Sequence, residues 1–272
     1  MMIIRPARRT ASVQEYYFSR KLKEIAAINR EKAAAGLDPV INLGIGAPDG
    51  MPPSDAIRTL TESARRSDSH AYQSYVGLDA LREAGADLVF FSPLEDPRLP
   101  ENIGGLYLGG GYPELYAADL SDHAAMRRQI REAVKGGLPT VAECGGFLYL
   151  QDELEDEKGT RFPMCGVFEG KGFRTGRLQR FGYQYLEAEE DSLLFRLGEK
   201  VPVHEFHYWD CTQNGGDLRS VKPDGRSWNC GYASASLYAA FPHLHLSGEQ
   251  PLADRFVQAC ISYRDRKIAE TE

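Results

Sequence analysis

Hydrophobic and polar positions along this chain follow two rhythms, and the change falls near residue 81. Upstream, apolar side chains recur at helical spacing and predict one amphipathic helix from Val13 to Ala35. Pro39 to Gly50 then reads as a short strand breaking into a Gly/Pro turn, and Ser54 is placed to cap a second helix running to Arg65. Downstream, short apolar runs alternate with helical periods. Asp87–Phe91 and Gly105–Leu108 read as buried strands, Ser121–Gly136 as a helix closed by glycine, and Leu138–Ala142 as a further strand. This alternation predicts an α/β fold: a mostly parallel sheet flanked by helices, with its active groups at strand carboxyl ends. Phe181–Ala188, Pro202–Tyr208 and Asn229–Ala239 read as strands of a mixed β extension, and Ala253–Tyr263 as a closing helix. The expected organisation is a short, partly helical appendage over residues 1–80, a domain over 81–265 and a polar tail from 266 to 272.

Composition narrows this picture. A chain of 272 residues buries one good core, or one core and a smaller appendage. With 32 basic and 39 acidic side chains its net charge is -7, which argues against nucleic acid or an anionic membrane surface as partner. There is no apolar run of transmembrane length and no signal-peptide pattern, so the expectation is a soluble cytoplasmic protein. Five cysteines stand singly at 144, 165, 211, 230 and 260, without a CxxC pair or metal-like spacing. That pattern belongs to a reducing compartment rather than to a disulfide framework.

The chemistry concentrates at Thr140-Val141-Ala142-Glu143-Cys144-Gly145-Gly146-Phe147. An apolar strand stops at a cysteine and resumes, after two glycines, as a helix-like pattern. A sharp strand-to-helix turn that displays a nucleophile has this form: glycines admit close backbone packing, and a helix N-terminus favours a thiolate. Phe241-Pro242-His243-Leu244-His245 supplies a distant base, and the Cys/His pairing is a recipe for covalent catalysis on amides. A cysteine between strand and helix is also an ordinary packed residue; the glycines and the His-Leu-His segment favour the catalytic reading. His204 and His207, three apart, suit zinc poorly and read either as ordinary strand and loop histidines or as lining for a substrate pocket. Cys165, Cys211, Cys230 and Cys260 read as inert small hydrophobes, and Glu143 as locally paired or solvated, without a mechanism. The basic run Lys171, Arg174, Arg177 and Arg180 reads as a solvated hairpin.

Four motifs in order, Gly109-Gly110-Gly111-Tyr112-Pro113-Glu114, Ala142-Glu143-Cys144-Gly145-Gly146-Phe147, His204-Glu205-Phe206-His207-Tyr208 and Leu237-Tyr238 to His243-Leu244-His245, resemble the glutaminase domain of the cobyrinic acid a,c-diamide synthases. These are class I glutamine amidotransferases of the cobalamin pathway. The resemblance spans about 81–265. It implies that Cys144 attacks the side-chain amide of glutamine, forms a thioester and releases ammonia, with His243 as base and acid. It also puts His245 where the acidic third member of the usual triad would be. An oxyanion on that path needs two fixed donors: the Gly145 amide supplies one, and Gly110 or Gly111 the second. Against an acidic corrinoid, the basic run gains a second reading as a substrate-facing surface.

Such enzymes also need an ATP-binding synthetase domain. Gly166-Val167-Phe168-Glu169-Gly170-Lys171-Gly172 is one residue short of the phosphate-loop spacing and lacks the final Ser/Thr. The expectation is therefore no cofactor or metal in this chain, with ATP and Mg²⁺ held by a synthetase partner in trans that also brings the corrinoid. Residues 12–80 instead resemble the start of a pyridoxal-phosphate-dependent aminotransferase, through Gln14-Glu15-Tyr16-Tyr17-Phe18-Ser19, Leu43-Gly44-Ile45-Gly46-Ala47-Pro48-Asp49 and Tyr72-Gln73-Ser74-Tyr75-Val76-Gly77, the last continuing through Leu78-Asp79-Ala80-Leu81-Arg82-Glu83-Ala84. The remaining elements of that chemistry are missing. The arrangement reads as a fusion of two truncated genes, with a loosely attached N-terminal segment. A catalytically silent remnant, a partner-binding module, or a glutaminase half for another tetrapyrrole such as nickel sirohydrochlorin are the alternatives.

Overall fold

The structure is a computed structural model that describes residues 17–40, 58, 79–248 and 251–270. The chain divides into two compact units, Met1–Gln73 and Ser74–Glu272. In the first, helix α1 (Tyr17–Ala34) falls inside the predicted helix. It ends where Gly36 turns left-handed (φ 67°), so that the N–H groups of Gly36 and Leu37 reach back to Ala33 O and Lys32 O, at 3.2 and 2.9 Å. These bonds satisfy carbonyls that a helix end would orphan. The expected strand and turn beyond Val40 and the Tyr72–Gly77 motif lie outside the described residues. So does the second helix, except for Arg58, which is helical.

The second unit opens with α2 (Asp79–Glu83), which buries Leu81. The expected strand Asp87–Phe91 is not one: the segment forms no β pairing, and Val89 and Phe90 are each 62% exposed. An apolar run becomes a strand only by sharing a ladder, and no other strand among the described residues takes this one as a partner. Gly105–Leu108 does form a strand, β1 (Leu106–Leu108). The predicted helix 121–136 arrives as two helices after a 3₁₀ turn at Pro113–Tyr116: α3 (Ala117–Asp122) and α4 (Ala124–Lys135), with the break at His123 (φ -81°, ψ 56°). Gly137 rather than Gly136 takes the left-handed closing position, at φ 82°.

Next come β2 (Thr140–Glu143), α5 (Gly145–Tyr149), β3 (Gln151–Glu155), β4 (Arg161–Pro163), β5 (Phe168–Ala188) and β6 (Lys200–Cys211). The single strand expected over 229–239 is divided among β8 (Ser227–Cys230), β9 (Tyr232–Ser234) and β10 (Leu237–Ala240), with β7 (Leu218–Val221) before them. Gly231, at φ 70°, makes the first break. β11 (His243–Leu244) and α6 (Leu252–Ala269) complete the unit, α6 being longer than the predicted helix.

One sheet runs β1-β2-β10-β9, with the first three strands parallel and β9 antiparallel. Strand alternation sorts its side chains between two cores. Leu106, Leu108, Ala142 and Ala239 pack with Met126 and Ile130 of α4. Val141, Tyr238 and Ala240 pack on the other side with Phe256 and Val257 of α6 and Leu186 of β5. Each large apolar side chain so buried contributes about 1.5–3 kcal/mol. Since both faces are covered, all four residues of β2 are buried. The mixed extension is a second sheet along β11-β6-β5-β3-β4, in which β5 and β6 are long antiparallel strands. The basic run lies on β5, in the long antiparallel hairpin that it makes with β6: Lys171, Arg174 and Arg177 are exposed there, whereas Arg180 turns inward. Among the described residues no helix is long and apolar enough to cross a membrane.

Candidate active site

Cys144 follows β2 directly and adopts φ 49°, ψ -101°, a conformation that L-residues avoid and that costs on the order of 1–3 kcal/mol. Its neighbours hold it there. The Cys144 N–H donates to Ala240 O of β10 at 2.8 Å, and its carbonyl accepts from Leu148 N–H at 2.9 Å. Two glycines make room for the turn. A β-carbon on Gly146 would stand 2.2 Å from Leu108 O, and one on Gly145 would stand 2.7 Å from Gly111 O. Helix α5, at five residues, is too short to lend a thiolate much dipole. The ionisable partner at the thiol is a side chain instead.

That side chain is His243. The pairing of β11 with β6 sets His243 opposite His204. Its ring lies against the glycine loop, where a β-carbon on Gly110 would come within 2.7 Å of His243 Cε1. Cys144 first, and Glu143 second, raise its pKa to about 10 against the opposing effect of burial. The structure therefore brings together Cys144 and His243, residues 99 positions apart, with the sulfur raising the pKa of the ring beside it. The Cys144 Sγ also lies 3.9 Å from Phe206 O of β6.

Sequence reasoning left Glu143 without a role, yet it is buried at the centre of the site. Its Oε2 accepts from the Tyr107 hydroxyl at 2.6 Å and stands 3.9 Å from His243 Nδ1, while its Oε1 accepts from Leu244 N–H at 2.7 Å. Burial, and then the proximity of Glu143, push the Tyr107 phenol up, which keeps it a donor. The signal was present in the sequence: a carboxylate closes a strand that is otherwise apolar and buried. His245 lies exposed beyond β11, and it is Glu143 that stands beside His243. The glycine loop divides its tasks by position. Gly109 O accepts from Gly146 N–H at 3.1 Å, Gly110 lies against His243, and Gly111 lies against Gly145.

Beneath the site runs a buried polar network on β6. Its side chains alternate, so that Val203, Glu205, His207 and Trp209 point inward. Glu205 Oε1 is 2.8 Å from Arg180 Nε and 2.7 Å from His207 Nε2, and its Oε2 accepts from Gln184 Nε2 at 2.5 Å. Burial would raise the Glu205 pKa, but His207 and Arg180 outweigh it and hold the carboxyl below its usual value. Arg180 also donates twice to Asp210, at 3.0 and 2.9 Å. The His207 ring stacks on Phe241 at 3.8 Å, two residues before His243. His207 thus braces the segment that carries His243, while His204 lies against the rings of Phe181 and Tyr183. Among the described residues no group of three or more His, Cys, Asp or Glu is arranged to hold a metal ion. Burial pushes Cys165, Cys211, Cys230 and Cys260 up to about 12.

A thiol held at a strained turn, with its histidine fixed by a separate strand, is the equipment of enzymes that cleave amides through a covalent cysteine intermediate. Residues 67–251 match the model of the CobB/CobQ-like glutamine amidotransferase domain, and the chain belongs to that family. It is 37% identical over 235 residues to the cobyrinate a,c-diamide synthase of Caldanaerobacter subterraneus subsp. tengcongensis, covering 84% of this chain and 52% of that protein. It is 40% identical over 173 residues to the cobyrinate a,c-diamide synthase of Listeria innocua serovar 6a, covering 62% and 38%. The chain thus spans about half or less of the length of these relatives. The structure of PurLQS from Thermotoga maritima aligns with a TM-score of 0.47 at 18% identity, over 68% of this chain and 90% of that one. The family match begins at residue 67, so Tyr72–Gly77, grouped above with the aminotransferase-like motifs, falls inside it.

Proposed function

We propose that this chain is the glutaminase part of an amidotransferase of the cobyrinate a,c-diamide synthase type, hydrolysing glutamine to glutamate and ammonia. The observation that carries the reading is the pairing of Cys144, at its strained turn, with a His243 whose pKa is raised to about 10. The Cys144 sulfur, its proton held by His243, attacks the side-chain carbonyl carbon of glutamine. The oxyanion that forms is met by the Gly145 N–H and by the glycine loop, where Gly111, lying against Gly145, is the nearer candidate for the second donor. His243 gives its proton to the amide nitrogen as the C–N bond breaks, and ammonia leaves a glutamyl thioester. Water, deprotonated by His243, attacks the thioester carbon; glutamate departs and the thiol is restored. Similarity to the cobyrinate a,c-diamide synthases supports a corrinoid carboxylate as the acceptor of the ammonia. An ATP- and Mg²⁺-dependent synthetase partner would activate it.

Upstream of the family match, we read the aminotransferase-like motifs Gln14–Ser19 and Leu43–Asp49 as a fused fragment without transaminase chemistry. Pyridoxal phosphate should show no Schiff-base band on adding the chain, and such a band would overturn that reading. The glutaminase reading is tested by ammonia release from glutamine, with and without a cobyrinate-type synthetase domain, against a Cys144→Ser control. Cysteine-dependent release supports it. No release in either condition, together with no labelling of Cys144 by a diazoketone analogue of glutamine, refutes it.

A further inference from the structure

A carboxylate in a strand with no exposed position is tolerated only where donors replace the water it has lost. Glu143 has two, from different elements: the Tyr107 hydroxyl on β1 and the Leu244 N–H on β11. A purely structural staple would need no more. The third contact is different in kind, because Glu143 Oε2 stands 3.9 Å from His243 Nδ1, an ion-pair distance longer than a hydrogen bond. The groups facing His243 are Cys144 on the turn after β2, Glu143 on β2 and His204 on β6. Of these, Glu143 alone brings a carboxylate to Nδ1. With Nδ1 turned to it, Nε2 is left for the sulfur.

We infer that Glu143 is the positioning carboxylate of this site, orienting His243 and stabilising its imidazolium from the residue directly before the nucleophile. The inference rests on the glutaminase reading and gives that reaction the acidic member that no residue shortly after His243 supplies. One short segment, Glu143-Cys144, then carries both the nucleophile and the group that sets its base. Glu143 takes no proton at any step. The proton lost by Cys144 stays on His243 until it passes to the departing nitrogen, and the carboxylate holds the ring's orientation throughout. Because the Leu244 N–H and Tyr107 O–H fix both carboxylate oxygens, the carboxylate cannot swing away as the ring charge changes.

The test uses Glu143→Gln, which keeps the side-chain size and an acceptor for Leu244 N–H but removes the charge. In the Cys144→Ser background, the titration of His243 is followed by NMR with and without Glu143→Gln. Removing the carboxylate should lower the titration point by about one unit or more, as loss of an opposite charge at this range does. In the chain with its cysteine, Glu143→Gln should lower the rate of diazoketone labelling of Cys144 by about tenfold or more, the scale of a misplaced catalytic group. It should also move the alkaline limb of that rate to lower pH, and Glu143→Asp should recover part of the rate. Unchanged titration and unchanged labelling in a folded Glu143→Gln variant would overturn the inference. So would a uniform loss of rate with no change in pH profile and no recovery by Glu143→Asp, since that pattern marks a structural staple. Failure of the glutaminase reading looks different: the native chain would neither release ammonia nor label, whatever the His243 titration showed.

Discussion

Cys144 holds a left-handed backbone at φ 49° because the two glycines that follow it let other backbone come close. Gly146 is the tighter of the two. Gly146→Ala would drive a β-carbon to 2.2 Å from Leu108 O, backbone that cannot move without disturbing β1. The expected cost is more than about 2 kcal/mol, read as a lower urea midpoint, together with loss of Cys144 labelling. Gly111→Ala meets nothing within 4 Å, so its midpoint should stay near that of the native chain. His243 makes a second prediction. Its pKa, raised from 6.5 to about 10 chiefly by Cys144, should fall back toward 6.5 in Cys144→Ser, as followed by NMR. The sign for stability follows. A raised histidine contributes fully below pH 6.5 and loses that contribution as pH rises through about 10. Urea midpoints of the native chain should therefore fall more steeply over that window than those of Cys144→Ser.

At the scale of elements, β6 joins the site to the second sheet. Its inward row holds a charged network, and such networks are costly to break on one side only. Arg180→Met leaves Glu205 and Asp210 with reduced compensation and should destabilise the chain by roughly 3 kcal/mol in chemical denaturation. Burial opposes ionisation at both acids, but their partners hold both pKa values down. Depressed carboxyls stabilise above their unfolded values, 4.5 and 3.8, and that contribution is lost as pH falls below them. The stability deficit of Arg180→Met against the native chain should therefore be largest at neutral pH and shrink as pH falls below about 4, because burial then favours the protonated carboxyls that the lost guanidinium had held ionised. Elements were legible in the sequence where pattern and pairing agree. β6 alternates over its whole length and was read in its central part. Asp87–Phe91 shows the limit, since five consecutive residues with an apolar run do not say whether another strand lies alongside. His207 shows another: that its ring stacks on Phe241 depends on how β6 packs against a segment more than thirty positions away.

For the molecule as a whole, a histidine neighbour rather than burial separates one thiol from four, since Cys144 is buried as well. Cys165, Cys211, Cys230 and Cys260 are pushed up to about 12, whereas Cys144 has His243 at its side. Brief iodoacetamide treatment near pH 8 should modify one cysteine in the native chain, Cys144, and all five after denaturation, as mass spectrometry would count. Two equally fast sites in the native chain would contradict this. The sequence alone determined the strand-turn-helix that carries Cys144, because glycine placement and apolar runs act over a few residues and need no distant partner. It also carried the motifs that name the glutamine amidotransferase family. Tertiary structure decided what stands next to His243. Leu244 N–H and Tyr107 reach Glu143 only because β11 and β1 converge on the carboxyl end of β2. His245, two residues from His243 along the chain, is carried out to solvent beyond β11. Sequence proximity fixes which residues share a strand, whereas the surroundings of the His243 ring are set by charges and donors that only the packed sheets bring within 4 Å.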